Sequence, residues 1–318
     1  MKKANKLLLG GALLGTAAAA ASYAVTDGMM RLALDRTAPA YMEKLQRKAP
    51  ESEELTKLRE QAAEAAERLG NTTHETVEIL SHDGLKLVGH WFPVPNTKRI
   101  LLAMHGWRSA WNKDFAMIAD FFRSEGCSVL YVEQRAQGES EGKYMGFGLL
   151  ERYDCRSWCD WLWEQFGNRL PVYLCGVSMG ASTVLMASGF VLPPCVKGII
   201  ADCGFSHVDA IWRHVSRQYG LHGVGSDIIC RQKIQTGSRD YSCPEALQQN
   251  KLPVLFVHGT DDTLVPVEMT YENYEACTAE KRLLIVPGAG HGWSYAMNKD
   301  GYEAELKRFW QDYDGEDE

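Results

Sequence analysis

The sequence predicts an α/β protein in which a mostly parallel sheet is covered by helices on both faces and carries an inserted helical lid. Short apolar segments without alternation recur along the chain, as is typical of strands buried on both faces. Segments with helical periodicity separate them, and this alternation favours a parallel sheet. The chain has 318 residues, of which 45% are hydrophobic and 24% charged. That composition suits a domain that buries a core.

The elements follow one another from residue 76 onwards. Two β-type segments around Asp83-Gly84 predict a hairpin. The predicted strands are 76–80, 85–92, 100–104, 127–132, 172–175, 196–201, 252–257 and 283–286. The predicted helices are 114–124, 149–166, 179–188 and 302–313. The alternation stops at about 205–250, where short helices at 210–219 and 228–234 predict a lid, since structureless loops of this length are uncommon.

The first 25 residues differ in composition from the rest of the chain. Three lysines precede Leu7 to Val25, a stretch of 19 residues without a charge. This order predicts an export signal over residues 1–25. An uncleaved anchor is the second interpretation, because 19 residues at about 1.5 Å each just span a hydrocarbon core of about 30 Å. A buried N-terminal helix is the third.

Two further domain boundaries follow from the pattern. A helical arm is expected over 26–72, because apolar residues recur there at helical spacing until Gly70-Asn71. The globular domain is expected over 73–318. The N-terminal segment predicts a protein that is secreted, or anchored through residues 7–25 with the globular domain outside the membrane.

Charge and cysteine content restrict the partners and the compartment. The net charge is −7, and the scattered lysines and arginines form no basic stripe, which argues against a nucleic-acid partner. Nine cysteines leave at least one thiol free. Several lie in predicted core strands, and this usage argues against an oxidising compartment. It therefore conflicts with export, and the sequence leaves the conflict open.

A serine directly follows the predicted strand 172–175. Gly176-Val177-Ser178-Met179-Gly180 fits the pattern G-x-S-x-G, in which a sharp strand-to-helix turn lifts the serine above the sheet. Glycines on both flanks relieve the crowding of that turn, and the following helix directs backbone N–H groups at the site. A serine hydroxyl is a weak nucleophile and needs a base.

The base and its carboxylate follow later strands. His291 lies in a glycine-rich segment after the last predicted strand. An imidazole base needs a carboxylate to orient it, and Asp261 and Asp262 both follow strand 252–257. We predict a catalytic site of serine, histidine and aspartate that needs no metal and no organic cofactor.

From about residue 73 to residue 313, the chain resembles the α/β-hydrolase superfamily. The order Ser, Asp, His is the order of that family, and the segment from His258 to Pro266 is similar to its acid-loop pattern H-G-x-x-D-x-x-V-P. This resemblance selects Asp262 over Asp261 as the catalytic acid. It also implies an α/β-hydrolase fold.

The resemblance extends to the loops after two other strands. His105-Gly106 looks like the oxyanion loop of the family, which implies that the backbone N–H groups of Trp107 and Met179 hold the oxyanion. The segment 133–140 is similar to D-x-R-G-H-G-x-S but departs from it at Glu133 and at Ala136-Gln137. We interpret His105, His258 and Asp202 as structural.

The whole layout is similar to serine aminopeptidase-like and cinnamoyl-esterase-like bacterial hydrolases with an N-terminal signal or anchor. This implies a serine hydrolase that cleaves an ester or related acyl bond of a small molecule through an acyl-enzyme. A carboxylesterase is favoured over a peptidase, which would need an acidic anchor such as Asp209 or Asp227. A non-catalytic binding module is the third hypothesis. Five aromatic residues are candidates either for an acyl pocket or for core packing: Trp107, Trp111, Phe147, Trp212 and Trp293.

Overall fold

A computed structural model describes residues 16, 20, 21, 23–25, 27, 28, 31–37, 53–218 and 241–315. One sheet of eight strands has the order β1-β2-β4-β3-β5-β6-β7-β8. Strands β3 to β8 pair in parallel, whereas β1 and β2 are antiparallel to their neighbours. The predicted α/β fold with a mostly parallel sheet is confirmed.

The strands agree closely with the predicted ones. Each predicted strand is present, and its ends differ by at most two residues from the expected ones. The observed strands are β1 (Glu75–Leu80), β2 (Lys86–Phe92), β3 (Arg99–Met104), β4 (Cys127–Val132), β5 (Val172–Val177), β6 (Val196–Asp202), β7 (Val254–Gly259) and β8 (Lys281–Val286). Their continuous burial, as in β3, β4 and β7, is the reason that apolar segments located them.

The helices of the described residues agree less well with the prediction. Those that lie entirely within the described ranges are α1 (Glu53–Asn71), α2 (Trp111–Asp114), α3 (Ala119–Ser124), α4 (Glu151–Phe166), α5 (Met179–Ala187), α6 (Val208–Gln218), α7 (Cys243–Gln249), α8 (Glu268–Ala276), α9 (Ser294–Met297) and α10 (Lys299–Tyr313). The single helix expected over 114–124 is two short helices. Helix α8 was not predicted, because its buried face includes the polar residues Thr270 and Asn273.

Helices cover both faces of the sheet. Trp158 of α4, Val184 of α5 and Leu247 of α7 belong to one buried apolar cluster. Leu69 of α1 and Trp310 of α10 belong to the cluster on the other face. Alternate residues along β3 point into the two clusters, as the pleat of a strand requires.

The sequence predicts a lid in the segment between β6 and β7. Helix α6 overlaps the expected helix at 210–219, and α7 begins with Ser242 as its N-cap. The second expected lid helix, 228–234, lies outside the described residues.

The N-terminal segment and the thiols complete the comparison with expectation. Most of residues 1–25 lies outside the described part of the chain. Within the part that is described, we find no helix that combines the length and apolarity needed to cross a membrane. The eight cysteines of the described ranges are all buried and carry free thiols.

Candidate active site

Three strand ends bring the predicted catalytic side chains together. Ser178 follows β5, Asp262 lies three residues beyond β7, and His291 lies in the loop after β8. The carboxyl ends of parallel strands meet at one edge of a sheet. Ser178 Oγ lies 2.9 Å from His291 Nε2, and His291 Nδ1 lies 2.6 Å from Asp262 Oδ2. Both distances are those of hydrogen bonds.

The turn at Ser178 is as sharp as the motif predicts. Its backbone has φ 56° and ψ −119°, a conformation that non-glycine residues seldom adopt. A Cβ atom on Gly176 would lie 2.3 Å from the carbonyl carbon of Gly180, and one on Gly180 would lie 1.9 Å from the carbonyl oxygen of Met104. Both flanking glycines are therefore required by close backbone approach.

Asp262 is held by several donors in a buried position. Its Oδ1 accepts hydrogen bonds from the backbone N–H of Leu264 at 2.9 Å and of Val265 at 2.8 Å. Its Oδ2 accepts from His291 and also lies 3.1 Å from His258 Nε2. Burial alone would raise the pKa of this carboxyl, but the hydrogen bonds from His258 and His291 lower it to about 2. Asp262 is consequently ionised at neutral pH.

The other aspartate of the loop lies elsewhere. Asp261 is exposed, and its carboxylate accepts a hydrogen bond from the Thr260 hydroxyl at 2.8 Å. Its backbone N–H donates to Ala289. Of the two aspartates, Asp262 is thus the one in contact with His291.

Two further histidines support the loops around the site. His258 is fully buried and lies 2.6 Å from the Thr270 hydroxyl. His105 is 1% exposed; its Nδ1 lies 2.8 Å from the carbonyl oxygen of Gly106, and its Nε2 accepts from the backbone N–H of Gln134. Burial lowers the pKa of His105, so its ring is neutral and fixes the loop after β3.

The loop after β3, residues 105–109, passes directly beside the nucleophile. A Cβ atom on Gly106 would lie 3.2 Å from Ser178 Cβ. The N–H of Gly106 donates to Asp114 at 2.6 Å, and the Ser109 hydroxyl bonds the same carboxylate. Asp114 was not anticipated, since a carboxylate at the end of a short helix has no distinctive pattern.

The two amides expected to hold the oxyanion are available. Across the described ranges, neither the N–H of Trp107 nor that of Met179 donates to a protein acceptor. Met179 is the first residue of α5, where N–H groups have no partner within the helix.

Only some of the predicted pocket aromatics lie together. The ring centroids of Phe147 and Trp212 are 4.7 Å apart, and those of Trp107 and Phe147 are 6.4 Å apart. Phe205, not anticipated, contacts Phe147 at 6.2 Å. Trp111 instead stacks on His90 with a centroid distance of 4.1 Å. Trp107, Phe147, Phe205 and Trp212 therefore form the aromatic cluster beside the 105–109 loop.

A second buried carboxylate ends a neighbouring strand. Asp202 is the last residue of β6 and accepts a hydrogen bond from the Ser294 hydroxyl at 2.9 Å. Burial raises its pKa to about 6, although Ser294 and the nearby His258 and His291 oppose the shift.

Two groups of side chains in the described residues are close enough to share a metal ion. One consists of Cys203, Asp262 and His291, and its Asp and His already bond each other. The second is His82 with Asp83 and Asp154, whose carboxylates are both bonded by Arg135. Since these ligands already have partners, we assign no metal to either group.

Solved structures with known folds resemble the chain over most of its length. An esterase of Pyrococcus furiosus matches with a TM-score of 0.63 and 23% identity, over 78% of this chain and 94% of that chain. The Butyrivibrio proteoclasticus protein Est1E with ferulic acid bound matches with a TM-score of 0.57 and 17% identity, over 76% and 98%. The acylaminoacyl peptidase of Pyrococcus horikoshii matches with a TM-score of 0.57 and 16% identity, over 78% and 43%.

The protein belongs to the class of α/β-hydrolases, and within that class it is a serine hydrolase. The model of the prolyl oligopeptidase family matches residues 113–316, and the chain belongs to that family.

Curated relatives share 22–28% identity with this chain. The uncharacterized protein YqkD of Bacillus subtilis is 28% identical over 193 residues, which are 59% of this chain and 63% of that protein. The uncharacterized protein YfhR of Escherichia coli O157:H7 is 22% identical over 74% of this chain and 80% of its own length. The lysophosphatidylserine lipase of Danio rerio is 23% identical over 58% of this chain and 48% of its own length.

Proposed function

We propose that the protein is a carboxylesterase that cleaves an ester through Ser178, His291 and Asp262. The observation that carries the proposal is the position of His291, whose two ring nitrogens lie 2.9 Å from Ser178 Oγ and 2.6 Å from Asp262 Oδ2. An imidazole with its Nδ1–H on a carboxylate presents a free Nε2 lone pair to the hydroxyl. That arrangement makes Ser178 nucleophilic.

The reaction takes place in two halves. In the first, Ser178 Oγ bonds to the acyl carbon while its proton passes to His291 Nε2, and the amides of Trp107 and Met179 stabilise the oxyanion. The bond to the leaving alcohol then breaks, and His291 returns the proton to it. In the second half, His291 takes a proton from water, the hydroxide attacks the acyl-enzyme, and the proton passes back to Ser178 as the acid leaves.

An ester is favoured by the surroundings of the site and by the relatives. The aromatic cluster beside the 105–109 loop supplies apolar surface for an acyl group. Structural neighbours named as esterases and a relative named a lysophosphatidylserine lipase support ester chemistry.

A peptidase is the alternative, and family membership favours it, since the family is that of prolyl oligopeptidase. An aminopeptidase of this class would need a carboxylate for the substrate's amino group. The carboxylate of Asp209 lies 3.9 Å from the Arg213 guanidinium, which reduces its value as such an anchor. Asp227 lies outside the described residues.

One experiment separates the two activities. A panel of p-nitrophenyl acyl esters of increasing chain length is compared with aminoacyl-p-nitroanilides at equal concentration. We expect kcat/KM for the best ester to exceed that for the best anilide by about a hundredfold or more, a difference of about 2.7 kcal/mol in transition-state binding. An anilide preference would establish the peptidase instead.

A second measurement tests whether the protein is an enzyme at all. A fluorophosphonate probe is expected to label the wild-type chain and to leave Ser178→Ala unlabelled. Ser182→Ala is the matched control, because Ser182 lies one turn further along α5, where its hydroxyl donates to Phe205. Labelling that persists in Ser178→Ala, or is absent from the wild type, would support the binding-module hypothesis.

We propose in addition that residues 7–25 either anchor the protein in a membrane or act as a signal that is removed on export. The basic flank and the uncharged stretch of the sequence support this. Membrane fractionation of the native protein, with sequencing of its N-terminus, distinguishes a retained segment from a cleaved one.

A further inference from the structure

A short segment that precedes helix α1 is built into the globular domain. Leu34 is fully buried and Ala33 is 3% exposed. A β-bridge pairs Asp35 with Tyr144, and the N–H of Met145 donates to the carbonyl oxygen of Leu34 at 2.7 Å. Residues 31–37, which we call the strap, are thus held in place by backbone pairing and by burial.

The strap is also gripped by two side chains of the 105–109 loop. The indole N–H of Trp107 donates to the carbonyl oxygen of Ala33 at 2.7 Å. The guanidinium of Arg108 donates to Leu32 from Nε at 3.0 Å and from Nη2 at 2.6 Å, and to Asp35 from Nη2 at 2.6 Å. A planar guanidinium with donors in a fixed fork suits such a set of converging carbonyl groups.

The loop needs support at this point. Arg108 has φ 50°, in the left-handed region that non-glycine residues seldom adopt. Such conformations persist where surrounding contacts determine them. The Gly106 end of the loop is fixed by Asp114 and the Arg108 end by the strap, with the amide of Trp107 between the two.

We infer that the strap is a positioning element that holds the Trp107 amide toward the oxyanion, and that Arg108 is the positioning residue through which it acts. The inference rests on the proposed function. Acyl transfer is sensitive to such a displacement, because the loss of one oxyanion donor typically costs about 10²–10³ in rate. The sequence pattern places the strap in an arm that is separate from the hydrolase domain. On this inference the strap instead supports the active site of that domain.

The first test removes the grip of the loop on the strap in the full chain. Arg108→Ala is expected to lower kcat for a p-nitrophenyl ester by about 10- to 100-fold, with KM changed by less than about threefold, because the lost interaction acts in the transition state. Inhibition by a trifluoromethyl ketone, which forms an oxyanion on Ser178, should weaken by a similar factor. Arg108→Lys should recover part of the loss.

A matched control shows that the effect belongs to this site. The guanidinium of Arg169 donates to the carbonyl groups of Phe166 and Gln165 at 2.9 and 3.0 Å on an exposed surface. Arg169→Ala removes the same kind of contact and should leave kcat and inhibitor affinity unchanged. If Arg108→Ala also leaves both unchanged, the inference is wrong.

The second test displaces the strap itself. Leu34→Asp places a carboxylate in a fully buried position, so the strap must leave its site. This variant loses the bonds of both Arg108 and Trp107 to the strap, so its kcat loss should be at least as large as that of Arg108→Ala. The double variant should be no slower than Leu34→Asp alone, since the strap contacts can be lost only once. Losses that multiply in the double variant, or a Leu34→Asp variant with wild-type kcat, would contradict the inference.

A third variant covers the case in which Leu34→Asp does not fold, as judged by circular dichroism. Trp107→Phe keeps an aromatic ring but removes the N–H that bonds Ala33, and we expect kcat to fall by about three- to tenfold. If kcat is unchanged both in this variant and in Arg108→Ala, the inference that the strap positions the Trp107 amide is wrong. A wild-type chain that neither hydrolyses an ester nor reacts with a fluorophosphonate overturns the proposed function instead.

Discussion

Two hydrogen-bond chains, each made of a carboxylate and one or two histidines, lie at the edge of the sheet where the parallel strands end. They end on different groups. One chain is Asp262, His291 and Ser178. The other begins at Glu133, after β4: His90 Nε2 lies 3.0 Å from Glu133 Oε1, and His90 Nδ1 lies 3.2 Å from His74 Nε2. His74 Nδ1 in turn lies 2.8 Å from the carbonyl oxygen of Thr72. The first chain ends on a hydroxyl and the second on a carbonyl.

This difference decides which histidine can act as a base. A carboxylate and a carbonyl only accept hydrogen bonds, so His90 Nε2 donates to Glu133 and His74 Nδ1 donates to Thr72, while the two remaining ring nitrogens face each other. All four ring nitrogens of the pair are therefore occupied, and none of them faces a hydroxyl. The Ser178 hydroxyl is a donor, so His291 Nε2 can accept its hydrogen bond. Similar residues thus give a structural hydrogen-bonded pair in one place and a candidate base in the other.

The surroundings of Glu133 agree with a structural role. Burial would raise the pKa of this carboxyl, but the hydrogen bonds from His90 and from the backbone N–H of Glu139 lower it. Trp111 stacks on the His90 ring and covers it. The hydrogen-bond chain from Glu133 through His90 and His74 to the Thr72 carbonyl contains no nucleophile.

The largest expected difference between the two hydrogen-bond chains is in the effect of removing a histidine from each. His291→Ala is expected to lower kcat by about 10⁶-fold, the size of effect seen when a triad base is removed. His90→Ala should leave kcat of the folded fraction within about tenfold of the wild type. Ester hydrolysis, normalised to folded protein by circular dichroism, measures both. Equal losses in the two variants would show that the two chains do not differ in role.

The two carboxylates should differ almost as much. Asp262→Asn keeps the shape but no longer selects the tautomer with a free Nε2, and kcat should fall by about 10⁴-fold. Glu133→Gln makes the matching change in the other chain and should leave kcat within about tenfold. Both variants are assayed with the same ester, and a Glu133→Gln loss as large as that of Asp262→Asn would contradict a structural Glu133.

The Glu133 chain should instead show its effect in stability. The side chains of His90 and Glu133 are 10% and 9% exposed, and a hydrogen bond to a charged group contributes about 1.5–3 kcal/mol. We expect Glu133→Gln to lower the free energy of unfolding in urea by that amount. The exposed pair Lys86–Glu78, also at 3.0 Å, is the control, since Glu78→Gln should cost about 1 kcal/mol or less. If the two variants lose the same free energy of unfolding, Glu133 contributes no more to stability than a residue of an exposed pair.

Much of the strand framework was predictable, because buried parallel strands are continuous apolar segments with turn residues at their ends. The positions that follow those strands were predictable for the same reason, which brought Ser178, His291 and Asp262 to one edge. Helix α8 was not predictable, since its buried face includes Thr270 and Asn273 and so has no apolar period.

Contacts with backbone groups account for what the sequence could not predict. Trp107 and Arg108 bond the strap through carbonyl oxygens, which every residue has, so no pattern identifies residues 31–37 as part of the site. The Glu133–His90–His74 chain joins residues from three separate parts of the sequence. Its one signal was the departure of Glu133 from the family pattern, and that departure does not identify a histidine partner.

A third carboxylate, Asp202, sharpens the comparison through pH. Asp262 and Glu133 are bonded by histidines and have lowered pKa values, whereas Asp202 is bonded by the Ser294 hydroxyl and has a pKa raised by burial to about 6. Between the ordinary value of 3.8 and about 6, the folded state therefore binds more protons than the unfolded state. By linkage, the free energy of unfolding falls as the pH rises through this window.

Asp202→Asn removes this titration and should flatten that part of the pH profile. A shift from 3.8 to about 6 corresponds to about 3 kcal/mol, so the variant should gain about that much relative to the wild type between pH 4 and pH 7. Urea unfolding of both proteins at four pH values measures the difference. Asp261→Asn, at an exposed carboxylate of the same edge, is expected to run parallel to the wild type. If the pH profile of Asp202→Asn is also parallel to that of the wild type, the Ser294 hydroxyl stabilises the Asp202 carboxylate as effectively as an imidazole stabilises Asp262. The hydrogen-bond partner would then not explain the difference between these carboxylates.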